Sequence, residues 1–241
     1  MTILREMINS LPVSLNALTA ILGILAALPV AWRFRTRLGL TKPWQVAGIC
    51  LVFLIVFYYS TVLFYKFEAL FGGDLEVSGT SLMGVFFVGA PVLLLVLKLL
   101  RMDLGAGFDI FTLCAVPGFF LARMHCLVAD CCGGIRFFST EWFWPTREAE
   151  LVFFVVLFIY LWKCGRENRI PGQLFPIFML SYGAFRFVNE FFRSTHYIST
   201  VLHLAHLWAA LCVVVGVSIY LEMKSQADKK TAERNNRRIK A

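Results

Sequence analysis

The chain has 241 residues, is 59% hydrophobic and only 16% charged, and has a mean hydropathy of +0.73. That balance excludes an ordinary water-soluble domain, whose surface needs far more polar cover than this composition supplies. The net charge of +8 does not point to nucleic acid, because the basic residues follow the loop pattern of a membrane protein facing anionic lipid.

A membrane span takes about 20 mostly apolar residues. Seven stretches qualify, in chain order 12–32, 44–65, 78–100, 107–127, 149–164, 173–192 and 201–222. The first is followed by Arg33, Arg35, Arg37 and Lys42. Its positive charge thus comes after the apolar run, the reverse of a cleavable signal, and predicts a permanent anchor. Lys98 and Arg101 follow the third stretch, and Pro117 with Gly118 predicts a kink in the fourth. The fifth is short as delimited, is expected to borrow residues from one end, and is followed by Lys163, Arg166 and Arg169. Lys224, Lys229, Lys230, Arg234, Arg237, Arg238 and Lys240 follow the seventh.

With seven spans these sixteen basic residues share one side; the other seven (Arg5, Lys66, Arg123, Arg136, Arg147, Arg186 and Arg193) fall on or near the opposite side. The positive-inside rule then puts the C-terminus in the cytoplasm and the N-terminus outside. The expected architecture is an all-α integral membrane protein: one bundle of about seven transmembrane helices over residues 1–223. A basic cytoplasmic tail, 224–241, is expected to be disordered or a loose helix.

Seven cysteines are present. Cys50, Cys114, Cys164 and Cys212 stand singly in or beside apolar stretches, where packing is the expected role. Cys126, Cys131 and Cys132 cluster near the outer face with His125, and His196, His203 and His206 lie on the same side. This set leaves open a disulfide, a soft metal site for Zn or Cu(I), or the lining of a lipid site. The run Phe137, Phe138, Trp142, Phe143 and Trp144 reads as an interfacial aromatic belt, or alternatively as a lid.

The sixth stretch places Arg186, Glu190 and Arg193 at i, i+4 and i+7, with Tyr182 one turn earlier and Asn189 beside them. At about 100° per residue they share one helix face, opposite a face of Phe and Val. Charged groups in the outer half of a span face the bundle interior or a wet cavity, because lipid contact costs several kcal/mol. A structural ion pair with Arg193 snorkelling to the interface is the plainer reading. Two guanidinium groups with one carboxylate leave a cationic site, and guanidinium suits phosphate through paired hydrogen bonds. A phosphate reached from within a bilayer belongs to a phospholipid headgroup. Arg123, in the outer part of the fourth stretch, is expected at the same level, and Asp109, near the inner end, reads as an interface residue.

The segment Tyr182-Gly183-x-x-Arg186-Phe187-x-x-Glu190-Phe191-x-Arg193 resembles the Tyr-Gly-x-x-Arg-x-x-x-Glu-x-x-Arg segment of the bacterial prolipoprotein diacylglyceryl transferases. Pro145-Thr146 followed by Glu150 is similar to that family's Pro-Thr-Gln-x-x-Glu stretch, and Gly172-Gln173-Leu174-Phe175 sits where the family has a similar run. Arg123 and Gly134 match the family's arginine signature, but Cys126, Ala129 and Cys131 stand where it has two asparagines and a glutamate. The family's His-Gly-Gly-Leu motif appears as Gly79-Thr80-Ser81-Leu82, without the histidine.

The resemblance implies transfer of a diacylglyceryl group from phosphatidylglycerol to the lipobox cysteine of a prolipoprotein signal peptide, with no cofactor and no metal. Arg123 and Arg186 would hold the leaving phosphate, Glu190 would orient a guanidinium, and Tyr182, Asn189 and Arg193 would shape the substrate site. The proton acceptor stays open between His125 and Glu190. A lipid-binding relative that has lost turnover, or that uses another acceptor, is the alternative within the family; a thiol or metal-site protein is the alternative outside it.

Overall fold

The structure is a computed structural model and describes residues 15–72, 79–129, 133–136, 143–167, 170–193 and 204–240. Cys131, Cys132, Phe137, Phe138, Trp142, His196 and His203 lie outside the described residues. Among the described residues seven helical elements follow one another. They are α1 (Leu15–Phe34, extended by a 3-10 turn Arg35–Leu38), α2 (Pro43–Gly72), α3 (a π turn Val85–Gly89 running into Ala90–Leu99), α4 (Leu104–Ala129), α5 (Thr146–Glu167), α6 (Leu174–Glu190) and α7 (Leu204–Lys240).

Among the described residues four stretches are long and apolar enough to cross a membrane: Leu18–Leu38, Pro43–Leu70, Leu104–Ala129 and Leu204–Glu233. The other three elements fall short for separate reasons. Val85–Leu99 is apolar but brief, α6 has only 17 residues, and α5 carries Arg147, Glu148, Glu150, Lys163, Arg166 and Glu167. Leu25, Leu63, Leu99, Val152, Leu207 and Val214, spread over five helices, are each more than half exposed. So much outward apolar surface suits a lipid solvent.

Two boundaries differ from the sequence expectation. The third element becomes helical only at Val85, because residues 79–84 lie along α2 instead. There the Ser81 N–H donates to the Thr61 carbonyl at 3.0 Å. A Cβ on Gly84 would stand 2.2 Å from the Ser60 carbonyl oxygen, so glycine alone permits that approach. Pro91, near the start of the α-helical part, has no N–H to give, and the ladder before it widens into the π turn. At the other end α7 continues as helix through the basic tail to Lys240, with Gln226 donating to Glu222 one turn back at 2.8 Å.

Side-chain contacts fix which helix ends lie together. At one end Arg37 Nη2 donates to the Gly165 carbonyl at 2.7 Å, joining the C-terminal ends of α1 and α5. At that same end Asp109 accepts from the backbone N–H of Gly172 (2.9 Å) and of Leu174 (3.0 Å). Asp109 is 1% exposed. It is therefore no interface residue: its carboxylate satisfies N–H groups that the first turn of α6 would otherwise leave unpaired. The C-terminal ends of α4 and α6 and the start of α5 consequently meet at the opposite end. There α6 lies flush on α7, since a Cβ on Gly183 would meet the Ala209 carbonyl at 2.9 Å. Backbone contact of this kind through small residues holds helices where no hydrophobic drive separates protein from solvent.

Candidate functional site

The far ends of α4, α5 and α6 bring together charges that are remote in sequence. Glu150, one turn into α5, sits between two arginines. Its Oε1 accepts from Arg186 Nη1 at 2.6 Å, and its Oε2 pairs with Arg123 Nε. Arg186 also reaches Glu190 with Nη2 at 2.6 Å, and Arg193 Nη1 lies 3.5 Å from the same Glu190 oxygen. The result is one ionic chain, Arg123–Glu150–Arg186–Glu190–Arg193, drawn from three helices. Every member is at least nine-tenths buried: Arg123 8% exposed, Glu150 2%, Arg186 7%, Glu190 1% and Arg193 7%.

The chain holds three guanidinium groups against two carboxylates, so it keeps one formal positive charge in a low-dielectric interior. Isolated burial of such charges costs several kcal/mol each, which the alternating order of signs offsets. Guanidinium donors in a fork match phosphate oxygens in geometry.

Neighbouring groups fix the chain's geometry. Tyr182 is 1% exposed and its hydroxyl lies 3.5 Å from Arg123 Nη2. Its ring is boxed by Phe119 and Phe154, with centroids at 5.2 and 5.4 Å. Asn189 donates from Nδ2 to the Thr146 carbonyl at 3.3 Å and ties α6 to the start of α5. Above them the backbone is stitched without forming a strand. Ile135 N–H donates to Phe192 C=O and Trp144 N–H to Ile135 C=O, both at 2.9 Å, and Gly134 bridges Arg193. A Cβ on Gly134 would stand 2.1 Å from the Trp144 carbonyl oxygen. Trp144 stacks on Phe192 at 4.3 Å between centroids.

The expected residues Arg123, Tyr182, Arg186, Asn189, Glu190 and Arg193 thus converge on one site. Arg193, the one expected to snorkel on the plainer reading, is buried and paired instead. His125 is placed elsewhere. Two positions from Arg123 it points about 200° away around the helix, into a cavity of about 210 Å³ between α1, α2 and α4. That cavity is mainly apolar; Thr61, Thr80, His125 and Cys126 supply polar groups to it. Cys126 also lies 3.9 Å from Arg123 Nη1, at the boundary between cavity and ionic chain. Among the described residues no three His, Cys, Asp or Glu side chains are grouped as metal ligands.

Glu150 is the residue that periodicity does not find. It has no charged stripe of its own on α5, and both its partners are at least 27 positions away in sequence (Arg123) or further (Arg186). Its signal is the Pro-Thr-x-x-x-Glu run that opens the helix.

A profile of the prolipoprotein diacylglyceryl transferase family matches residues 3–222. Three curated relatives are each called phosphatidylglycerol–prolipoprotein diacylglyceryl transferase. The protein of Paracidovorax citrulli is 33% identical over 76 residues, 30% of this chain and 28% of that one. That of Pseudoalteromonas atlantica is 43% identical over 53 residues, 20% and 19% of the two chains. That of Polaromonas naphthalenivorans is 46% identical over 39 residues, 16% and 14%. The chain therefore matches less than a third of the length of these relatives.

Proposed function

Since the chain belongs to the prolipoprotein diacylglyceryl transferase family, we propose that it moves a diacylglyceryl group from phosphatidylglycerol to the lipobox cysteine of a prolipoprotein. The observation that carries this reading is the buried five-residue ionic chain with its one surplus positive charge. In the reaction the acceptor sulfur attacks the glycerol carbon that bears the phosphate ester. The C–O bond breaks, and glycerol phosphate leaves with one more negative charge than the diester had. Arg123 and Arg186 meet that charge, and Arg193 adds a third guanidinium at the rim. Glu150 and Glu190 hold the guanidinium planes in position, so the site needs little reorganisation when charge develops. Tyr182 and Asn189 keep Arg123 and the α5–α6 junction in register.

The chain is read as a multi-pass protein of a bacterial inner membrane, N-terminus outside, with a membrane domain over 1–223 and a basic cytoplasmic segment over 224–241. Support comes from the loop distribution of Lys and Arg and from the four helices of spanning length. The ionic chain then lies toward the outer leaflet, and the donor lipid arrives sideways from it.

The test is transfer of label from phosphatidylglycerol to a lipobox peptide by the purified protein in bilayers, beside Arg186→Ala. The reading expects label on the peptide cysteine with the wild type and none with the variant. Lipid that binds in an Arg186-dependent way without transfer would mean a lost or different acceptor. Absence of both binding and transfer would end the lipid-site reading.

A further inference from the structure

A lipid that brings its phosphate to the ionic chain also brings hydrocarbon. On its opposite face α4 forms, with α1 and α2, the cavity of about 210 Å³ into which His125 opens.

This cavity is graded along its length. α1 runs away from the ionic end of the bundle, whereas α2 and α4 run toward it. At the ionic end the lining is Thr19 of α1, Thr61 of α2, Thr80, and His125 with Cys126 of α4. At the far end it is Ala27, Phe53 and Phe111, with the thiols Cys50 and Cys114. Hydroxyl and imidazole groups thus collect at one end and hydrocarbon and sulfur at the other. The polar end adjoins the arginine site, since Cys126 Sγ lies 3.9 Å from Arg123 Nη1. The far end is closed. Cys114 Sγ lies 3.7 Å from the Ala27 carbonyl oxygen, between α4 and α1. The rings of Phe53 and Phe111 meet edge-on at 5.3 Å between α2 and α4. At 1.5 Å per residue, α4 rises about 22 Å from Phe111 to Cys126 and α2 about 16 Å from Cys50 to Thr61. The hydrocarbon of one leaflet is about 15 Å deep, half of a bilayer core. The slot is therefore as deep as one acyl chain is long.

Small residues keep it open. Ala20, Gly23 and Ala27 on α1, and Ala115, Gly118 and Ala122 on α4, line it at i, i+3 and i+7. Such stripes usually let helices touch, as Gly183 does on α7. Here they do not. A Cβ on Gly23 would meet nothing within 4 Å, and one on Gly118 would make only ordinary contact with the Phe57 ring at 3.4 Å.

Resting on the transferase reading above, we propose that this cavity seats one acyl chain of the donor lipid and that its closed end selects chain length, with Gly23 and Ala27 as specificity-determining residues. The ester end of the chain lies among the threonines and Cys126, beside Arg123. The methyl end stops against Phe53 and Phe111. A chain too long for the slot draws its glycerol away from the arginines.

The experiment places phosphatidylglycerol donors with chains of about 10 to 18 carbons, at low fraction, in phosphatidylcholine vesicles of one fixed thickness. Transfer to a lipobox peptide is measured for wild type, Gly23→Leu, Ala27→Leu and, as a control outside the slot, Gly48→Leu. Gly23→Leu is expected to lower kcat/KM for the longest donors relative to the shortest by about 10-fold or more, the scale of misfit in an apolar pocket. Ala27→Leu, about 6 Å deeper, should penalise only the longest chains, and Gly48→Leu should leave the ranking as in wild type. A Gly23→Leu deficit equal for all chain lengths, or no deficit, would overturn the proposal. A second arm needs no turnover: phosphatidylglycerol with a photoreactive group at the chain terminus should label Phe53, Phe111 or Ala27. Label confined to outward positions such as Leu25 and Leu63 would overturn the slot. Label at the closed end without any transfer by the wild type would remove the transferase reading and leave the chain site standing.

Discussion

The two ends of the bundle both hold arginine, and they hold it by opposite means. At the end where α1 and α5 finish, Arg35 lies 4.1 Å from the Trp32 ring centroid, Arg37 4.8 Å from Phe34, and Arg166 5.9 Å from Trp162. No carboxylate is paired with these three in the described contacts, and water stays within reach of them. At the other end Arg123, Arg186 and Arg193 are nine-tenths buried and threaded on Glu150 and Glu190. A guanidinium stacked on an aromatic face keeps much of its hydration and contributes about 0.5–1 kcal/mol. One that is buried must be neutralised locally, and its removal or that of its partner strands a charge. The residue type is the same; the environment makes one set an anchor and the other an apparatus.

The sharpest way to break this contrast is Glu150→Ala. It strands Arg123 and leaves Arg186 with Glu190 as its carboxylate partner. Transfer should fall by about 1,000-fold or more, and a melt in detergent should show a loss of about 3–5 kcal/mol, the scale of breaking a buried pair. Arg186→Lys comes next: an ammonium has a single nitrogen and cannot reach Glu150 and Glu190 from two separate nitrogens as the planar fork does, so transfer should fall about 100-fold while the charge is kept. Full activity of the lysine variant in the same labelled-lipid assay would show that charge alone suffices there.

Asp109→Ala probes the opposite end and should cost about 1–3 kcal/mol, because two buried N–H groups at the start of α6 lose their acceptor. Transfer by the folded fraction should stay within about two-fold of wild type, and a larger loss would mean that α6 shifts along its axis. The smallest effect belongs to Arg35→Ala. Less than about 1 kcal/mol of stability should be lost, with transfer unchanged, and a deficit there would erase the distinction between the two ends.

Much of this was readable in the residue order, and the part that was not has a physical reason. α2 and α4 announce themselves by long apolar runs, and the stripe Tyr182, Arg186, Glu190, Arg193 is visible because all four stand on one helix, where periodicity acts. Glu150 is hidden from periodicity, since its partners come from α4 and α6 and nothing on α5 echoes them. Asp109 looks peripheral in a list of residues, yet its role is set by where α6 begins, 65 positions later. The late start of α3 depends on the contact of Gly84 with Ser60, which no local preference encodes.

The unbroken course of α7 has a consequence for reach. From Lys224 to Lys240 the helix adds 17 residues beyond the apolar stretch, a rise of about 25 Å at 1.5 Å per residue. A tilt of about 20° shortens that projection only slightly. Electrostatic attraction to an anionic leaflet fades over about 8 Å at physiological salt. On the cytoplasmic reading, Lys224 is close enough to feel the membrane surface, whereas Arg237, Arg238 and Lys240 stand about two to three screening lengths away. On that reading the tail is less a patch pressed to the lipid than a stalk that carries its positive charge out into the aqueous phase.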